Sequence, residues 1–423
     1  MMQEQYTDPY SNFISKDRKA LQNNSQPLSG IRVLELSSVV AAPFAAAMLG
    51  DAGAEVIKIE NPSAPDALRS WASGPESKGV EPYYFHIGRN KTPVTLNLKT
   101  AEGVAVFKDL IKESDVLIEN IRTSSLARLG LDHDSLLELN PGLVIGKVTG
   151  YGMSGPMSER PGFGTLAEAY SGFSGVNGFK ENGATSPPIP LADMTAGIHM
   201  AYAISLALRS AKRGVSGGQV IDVSLYEPLF GYMGGEYVNY SVTGKVAEPM
   251  GNELSATAPR NIYKTSDKHQ IALSCSSQNT WENLAMALDR PELIDDPRFL
   301  TNADRINPDN RVVLNEIIGL WVEQRSAEEA LSLFKERGVT AGPVLSMDEI
   351  ASDEHYQARE SLLTMQDPVT GIDAQMPNVP FRMSKSSNKV RFPGLPLGAG
   401  NEVVFKEVLN YDDSKCDLLM GSE

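Results

Sequence analysis

Between Arg32 and Val223 the chain repeats one pattern, a short apolar strand followed by a helix, and few architectures accept it. The strand-type runs are Arg32-Val-Leu-Glu-Leu36, Glu55-Val-Ile-Lys-Ile-Glu60, Val94–Leu98, Val116-Leu-Ile-Glu119, Leu143–Thr149 and Gln219-Val-Ile-Asp-Val223. Between them lie helical stretches: Phe44–Gly50 opened by Pro43, Ala101–Ser114 with Val104, Phe107, Leu110 and Ile111 at helical spacing, and Leu126–Leu139. A further helix carries the long apolar run Met194–Leu208. Strands joined through helices run parallel and bury both faces of their sheet, so the expected fold class is α/β. In such sheets the carboxyl ends of the strands border the ligand crevice.

The pattern changes near Thr243. Residues 243–260 are irregular and rich in Gly, Pro, Ala and Ser, as a linker or functional loop would be. An Ile271–Cys275 strand and helices near Thr280–Leu288, Arg311–Gln324 and Ala327–Arg337 then suggest a second, smaller lobe. Val339–Val344 opens a strand-poor region whose later segments, such as Ala374–Met383, are candidates to return to the first lobe.

With 423 residues the chain is too long for one domain of ordinary size. A formal net charge of −15 argues against general nucleic-acid binding or attraction to an anionic membrane. An anionic ligand would therefore need cations gathered locally. The two cysteines, Cys275 and Cys416, and five scattered histidines lack metal-type spacing, so neither a disulfide framework nor a metal site is expected, and a reducing, cytoplasmic setting fits. Residues 1–29 are polar and read as a loose tail. The apolar run Met194–Leu208 carries His199 and is too short to span a bilayer, so no membrane role is expected.

Pro187-Pro-Ile-Pro-Leu-Ala-Asp193 delivers one carboxylate to the mouth of the long apolar helix. Backbone N–H groups of a first helical turn favour negative charge, so Asp193 is expected to stay ionised even when desolvated. It is a candidate covalent nucleophile and equally a candidate N-cap, and position alone leaves both open. Gly150-Tyr-Gly152-Met-Ser-Gly155 spells the dinucleotide fingerprint, but Pro156–Pro161 follows where a helix is required. The turn after the first strand, Ser37–Pro43, contains no glycine. A nicotinamide role is therefore disfavoured, and the glycines read as a turn or as close backbone approach by a ligand. Arg89, Lys91, Lys99, Arg122, Arg128 and Lys147 fall mostly near strand ends and form a candidate phosphate-binding set. His199 reads as a core histidine, and Tyr151 and Phe163 as core aromatics or cleft walls. Gly214-Val-Ser216-Gly-Gly218 spells Gly-x-Ser-x-Gly but precedes a strand instead of following one, so there is no nucleophile elbow, and no phosphate-binding P-loop occurs.

The order of segments resembles the family III CoA-transferases, which include formyl-CoA and L-carnitine CoA-transferases and the related 2-methylacyl-CoA racemases. The resemblance rests on Leu28–Leu36, Ala42-Pro43-Phe44, Gly53–Glu60, Asn90-Lys91, Leu96–Lys99, Asp115–Asn120 and Leu129-Gly130-Leu131. It continues through Asn140-Pro141, Gly150-Tyr151-Gly152, Arg160-Pro161-Gly162, Ser171-Gly172, Pro187-Pro188, Ala192-Asp193, Gly217–Asp222, Ala341–Val344 and Ala358-Arg359.

The resemblance implies that Asp193 is the nucleophile. It puts CoA contacts on Val40, Ala41, Leu96, Asn97, Leu98, Lys99, Asn120, Ile121, Arg122, Arg128, Thr149, Gly150, Tyr151 and Gly152. No cofactor would be bound permanently; the substrates would be a coenzyme A thioester and a small carboxylic acid. The implied fold is a Rossmann-like large domain (30–230 and 345–423) plus a small α/β domain within 231–344. Each ring-like chain would interlock with a second in a homodimer.

Members acting on formate and oxalate show a histidine and a glutamine where this chain has Ser38 and Val40, and a four-glycine loop that 243–260 lacks. The racemases' Gly-His-Asp segment here reads Gly162-Phe163-Gly164, which removes one of two proton-transfer partners. Transfer is therefore expected over racemisation, with a non-catalytic CoA-binding protein as the other alternative.

Overall fold

A computed structural model describes residues 10–22 and 25–420. Six strands, β1 (Arg32–Leu36), β2 (Glu55–Glu60), β3 (Lys91–Thr95), β4 (Val116–Glu119), β5 (Val144–Thr149) and β6 (Gln219–Ser224), form one sheet in the order β3-β2-β1-β4-β5-β6. All neighbours pair parallel, with Leu34 opposite Ile57 on one side and Leu117 on the other. The helices used below are α1 (Ser11–Gln22), α2 (Ala41–Asp51), α3 (Ala101–Lys112), α4 (Gly164–Tyr170) and α5 (Leu191–Lys212).

Successive residues of a strand face opposite ways, so Val33, Val56, Val116 and Val144 pack with α2 and α5. Leu34, Ile57, Leu117 and Ile145 pack with α3 and with Phe405 and Val408 from the C-terminal region. The small residues of α2 have a purpose. A Cβ on Gly197 of α5 would stand 2.7 Å from the Ala41 carbonyl oxygen and 3.1 Å from the Phe44 ring, so the two helices touch where α5 carries no side chain. At 22 residues α5 is longer than the apolar run predicts and, by length and composition alone, long and apolar enough to cross a membrane. Ala192, Ala196, Met200 and Ile204 are nonetheless fully buried in the sheet's core, which accounts for its apolar character.

Three expectations need correction. The N-terminal segment is not a loose tail throughout: α1 buries Ile14 with Phe392 and Leu395, and Arg18 pairs with Glu55 at 2.6 Å. The third strand begins at Lys91 rather than Val94, because Lys91 is the strand's inward cation. The expected helix Leu126–Leu139 is two short helices, Thr123–Arg128 and His133–Leu139, parted by Gly130 at φ +64°.

Contacts divide the chain into two compact units. One runs to Phe173, resumes over Pro187–Val238 and again from His355 onward, and holds the six-stranded sheet and a hairpin of β10 (Leu362–Gln366) and β11 (Asp373–Pro377). The other, Ser174–Ser186 with Asn239–Glu354, holds the antiparallel strands β7 (Arg260–Lys264), β8 (Gln270–Ser274) and β9 (Ala341–Pro343). Its core gathers Trp281, Phe299, Ile318 and Phe334.

Candidate active site

The strand order reverses between β1 and β4, and in doubly wound sheets ligands bind beyond the carboxyl ends of the strands at that point. A cavity of about 280 Å³ lies there. Ser38–Ala41 follow β1, Asn120–Arg122 follow β4 and Thr149–Gly150 end β5; Ser158–Phe163, Asp193 and Leu225 close it. The Asn120 side chain clamps the two loops: its Oδ1 accepts from Ser38 N at 3.2 Å and its Nδ2 donates to Ser38 O at 2.8 Å. Val39, β-branched, adopts φ +69°, a strained conformation held because its N–H donates to Asp66 Oδ1 at 3.0 Å. A second cavity of about 390 Å³ sits over the ends of β1 to β3. Its wall is largely apolar (Leu36, Ile59, Leu96, Leu98, Leu126, Leu129), with Lys99 at its rim, and it shares Ser38 and Ile121 with the first.

Pro190 occupies the N-cap position of α5, so Asp193 is the helix's third residue and the N-cap reading is corrected. An external group supplies the missing cap: Glu168 of α4, only 2% exposed, accepts from Ala192 N at 3.3 Å. Among the described residues no cation pairs with Asp193. Burial, reinforced by the neighbouring Glu168 carboxylate and opposed by its own backbone N–H, pushes the Asp193 carboxyl up to about 6. The helix terminus therefore does not hold the group in the ordinary range, although it is still mainly ionised at neutral pH.

The basic set divides. Lys91 pairs with Glu35 at 2.8 Å, Arg89 with Asp51 at 2.7 Å and Lys147 with Glu119 at 2.9 Å, all buried. Arg89 and Lys91 are thereby parts of the core, because a charge removed from water is tolerated only when paired; Lys147, paired likewise, also reaches the wall of the first cavity. Lys99, Arg122 and Arg128 are exposed; Arg122 lines the first cavity and Lys99 the second.

Of the residues proposed from sequence, Val40, Ala41, Asn120, Ile121, Arg122, Thr149, Gly150 and Asp193 line the first cavity. Leu96, Leu98 and Lys99 line the second. Four line neither. Asn97 accepts from Lys99 N, Arg128 folds back on Ser124 O at 3.1 Å, and Tyr151 meets Tyr170 edge-on at 5.3 Å. Gly152 donates its N–H to Thr149 Oγ1 at 2.7 Å. The close approach at Gly150 comes from the chain itself, since a Cβ there would lie 2.6 Å from Gly162 Cα. Glu60, the acid a nicotinamide ribose would require, is taken by Arg69 at 2.7 Å. His199 is half-buried, with Nδ1 bonded to Thr195 O at 2.8 Å. Sequence reasoning missed Glu168 and the cavity-lining Arg160. Spacing held one clue: Gly164 and Glu168 are four apart and share a helix face. No group of three or more metal-type side chains occurs among the described residues.

Comparison with known proteins gives a consistent result. The family model of CoA-transferase family III matches residues 28–401. The chain is 34% identical over 400 residues to a succinyl-CoA–D-citramalate CoA-transferase of Chloroflexus aurantiacus, covering 95% of this chain and 98% of that protein. It is 35% identical to the β subunit of a succinyl-CoA–L-malate CoA-transferase of the same organism, covering 93% and 96%. To the α subunit it is 34% identical, covering 91% and 89%. A CAIB/BAIF family protein from Brucella suis, solved by crystallography, superposes with a TM-score of 0.78 at 29% identity, over 91% of this chain and all of that one. The cavity at the strand reversal, its unpaired carboxylate and these full-length likenesses agree: the chain belongs to CoA-transferase family III.

Proposed function

We propose that the protein transfers CoA from an acyl-CoA thioester to a free carboxylic acid, with Asp193 as the covalent carrier. The observation that carries this reading is the Asp193 carboxylate itself, half-buried at the wall of the cavity with no cation pairing it among the described residues. In the first step the carboxylate attacks the donor thioester carbonyl, forming an aspartyl mixed anhydride and expelling CoA thiolate. The thiolate then attacks the aspartyl carbonyl, giving an aspartyl-CoA thioester and releasing the donor acid. An acceptor carboxylate attacks that thioester and frees the thiolate, which attacks the acceptor's acyl carbon, releases Asp193 and yields the new acyl-CoA. Over the full cycle one CoA thioester is exchanged for another, so no nucleotide is consumed.

The first turn of α2 begins at Ala41 on the cavity wall, and unpaired N–H groups of a first turn are suited to stabilise the oxyanions. The apolar second cavity suits the adenine end of CoA, with Lys99 and Arg122 toward its phosphates. Succinyl-CoA is the favoured donor and a small dicarboxylic acid the favoured acceptor, because the citramalate and malate transferases resemble the chain along nearly its whole length. Racemisation is second: Phe163 stands where racemases carry their histidine and is 64% exposed, unable to move a proton.

The working unit is proposed as a homodimer. The α and β subunits of the malate enzyme resemble this chain almost equally, which supports association of like chains. Ile198, Tyr202 and Leu206 form an exposed apolar stripe along α5, between 42 and 63% accessible, of the kind a second copy covers. Both cysteines are buried and unpaired, consistent with a reducing cytoplasm.

The test is a transfer assay with succinyl-CoA and a panel comprising citramalate, malate, glutarate and monocarboxylates. New acyl-CoA from a dicarboxylate, with ping-pong kinetics, is expected. Exchange of an α-proton with deuterated water in the absence of any acceptor acid would favour the racemase reading instead.

A further inference from the structure

Two residues of α4 meet the nucleophile's helix and neither is among the proposed CoA contacts. Gly164 opens α4, and an ideal Cβ built on it would overlap Asp193 Oδ2. The carboxylate thus occupies space that exists because position 164 bears no side chain. One turn further on the same face, Glu168 is 2% exposed and holds the first turn of α5 through Ala192 N at 3.3 Å. No ion pair involving Glu168 occurs among the described residues, in contrast to the paired Glu35, Glu60 and Glu119.

We propose that Gly164 and Glu168 are positioning residues for acyl transfer: the bare glycine forms the seat of the nucleophile, and the uncompensated Glu168 carboxylate beside it makes Asp193 easier to acylate. The inference rests on the transfer reading above.

Its physical basis is the state of Asp193 through the cycle. The side chain is anionic when free and neutral as anhydride or thioester. A fixed negative charge beside a desolvated carboxylate raises the free energy of the anionic form alone. Protonation relieves that repulsion, and acylation relieves it equally. The raised carboxyl of Asp193, with burial the larger cause and Glu168 the second, agrees with this geometry. Because the effect acts on the free enzyme relative to every acylated form, it favours the covalent states in both directions of the reaction. Other charged groups on the cavity wall are Arg122, Glu159, Arg160 and the Glu119-paired Lys147; His199 lies further along α5.

The experiment uses the full-length protein with Gly164→Ala, Glu168→Gln and, as control, Asp193→Asn. Gly164→Ala is expected to lower kcat by about 100-fold, the scale of an ångström-sized misplacement, with the KM for succinyl-CoA changed less than about twofold. Glu168→Gln keeps the carbonyl that receives the Ala192 N–H and removes the charge. It should move the acidic limb of the rate profile to lower pH. At a fixed ratio of succinyl-CoA to succinate, it should also reduce the fraction of enzyme captured by borohydride as aspartyl-CoA by about three- to tenfold. A purely structural role would alter neither the limb nor the covalent fraction, and Glu168→Asp should restore part of both. Folded Gly164→Ala with wild-type kcat, or Glu168→Gln with an unmoved limb and covalent fraction, would overturn the proposal. If Asp193→Asn keeps full turnover, the transfer reading itself fails; if it is inactive while the other variants match wild type, only the positioning roles fail.

Discussion

Two carboxylates of the same unit, Glu35 fully buried and Asp193 half-buried, are treated in opposite ways. Glu35, inside the sheet, receives Lys58 at 2.7 Å, Lys91 at 2.8 Å and the Ser37 hydroxyl at 3.0 Å. Burial alone would raise its carboxyl, but the two lysines outweigh burial and hold it at about 2. Asp193, at the cavity wall, receives no cation, has Glu168 as its neighbour and is pushed up to about 6. In a low-dielectric setting the presence or absence of a counter-charge decides whether a carboxylate is a structural tie or a reactive group. Asp66, which bonds Lys58 at 2.8 Å and the strained Val39, carries the Glu35 network to the loop that walls the cavity.

This contrast can be broken most strongly by Asp193→Asn, which should lower turnover by at least about 10⁴-fold, the scale of removing a covalent nucleophile. Steady-state assay of the purified, folded variant measures it. Next in size is Glu35→Ala, which leaves the buried Lys91 ammonium without its carboxylate and Lys58 with Asp66 alone, and should cost about 3–5 kcal/mol of stability, read by urea or thermal unfolding. Because the Glu35 carboxyl is lowered from 4.5, its contribution is present above that value and is lost as pH falls through about 2.

Asp193→Asn should also have the reverse effect on stability. The carboxyl is raised from 3.8 to about 6, so between those values the native state binds more protons than the unfolded chain and wild-type stability falls as pH rises. The variant escapes this loss; its advantage should grow across that window to about 3 kcal/mol at pH 7. Equal stability at pH 4 and pH 7 differences would remove Asp193 from the contrast. Smallest is Arg122→Ala, expected to raise the KM for an acyl-CoA about fivefold with kcat little changed, an effect that fades with added salt. An unchanged KM would take Arg122 away from the phosphates.

Much of the large unit is legible in sequence because buried parallel strands show continuous apolar runs, and the wall-forming turns directly follow them. Charge was harder to read. Lys91 and Lys147 look like free cations in a linear chain; the β4–β5 register sets Glu119 beside Lys147, and only the folded sheet brings Glu35, two strands away, to Lys91. The helix of residues 11–22 was hidden because its anchoring partners, Glu55 and Phe392, lie far along the chain. Glu168 was hidden for a related reason. Its importance comes from one contact with α5, and its four-residue spacing from Gly164 does not by itself announce a buried acid without a cation.

The central claim is that Asp193 is acylated and then thioesterified in every turnover. Protein incubated with succinyl-CoA, reduced with borohydride and digested should show, by mass spectrometry, the reduced side chain in the peptide carrying Asp193 and nowhere else. An unmodified Asp193 peptide from a sample that is demonstrably turning over would contradict the account.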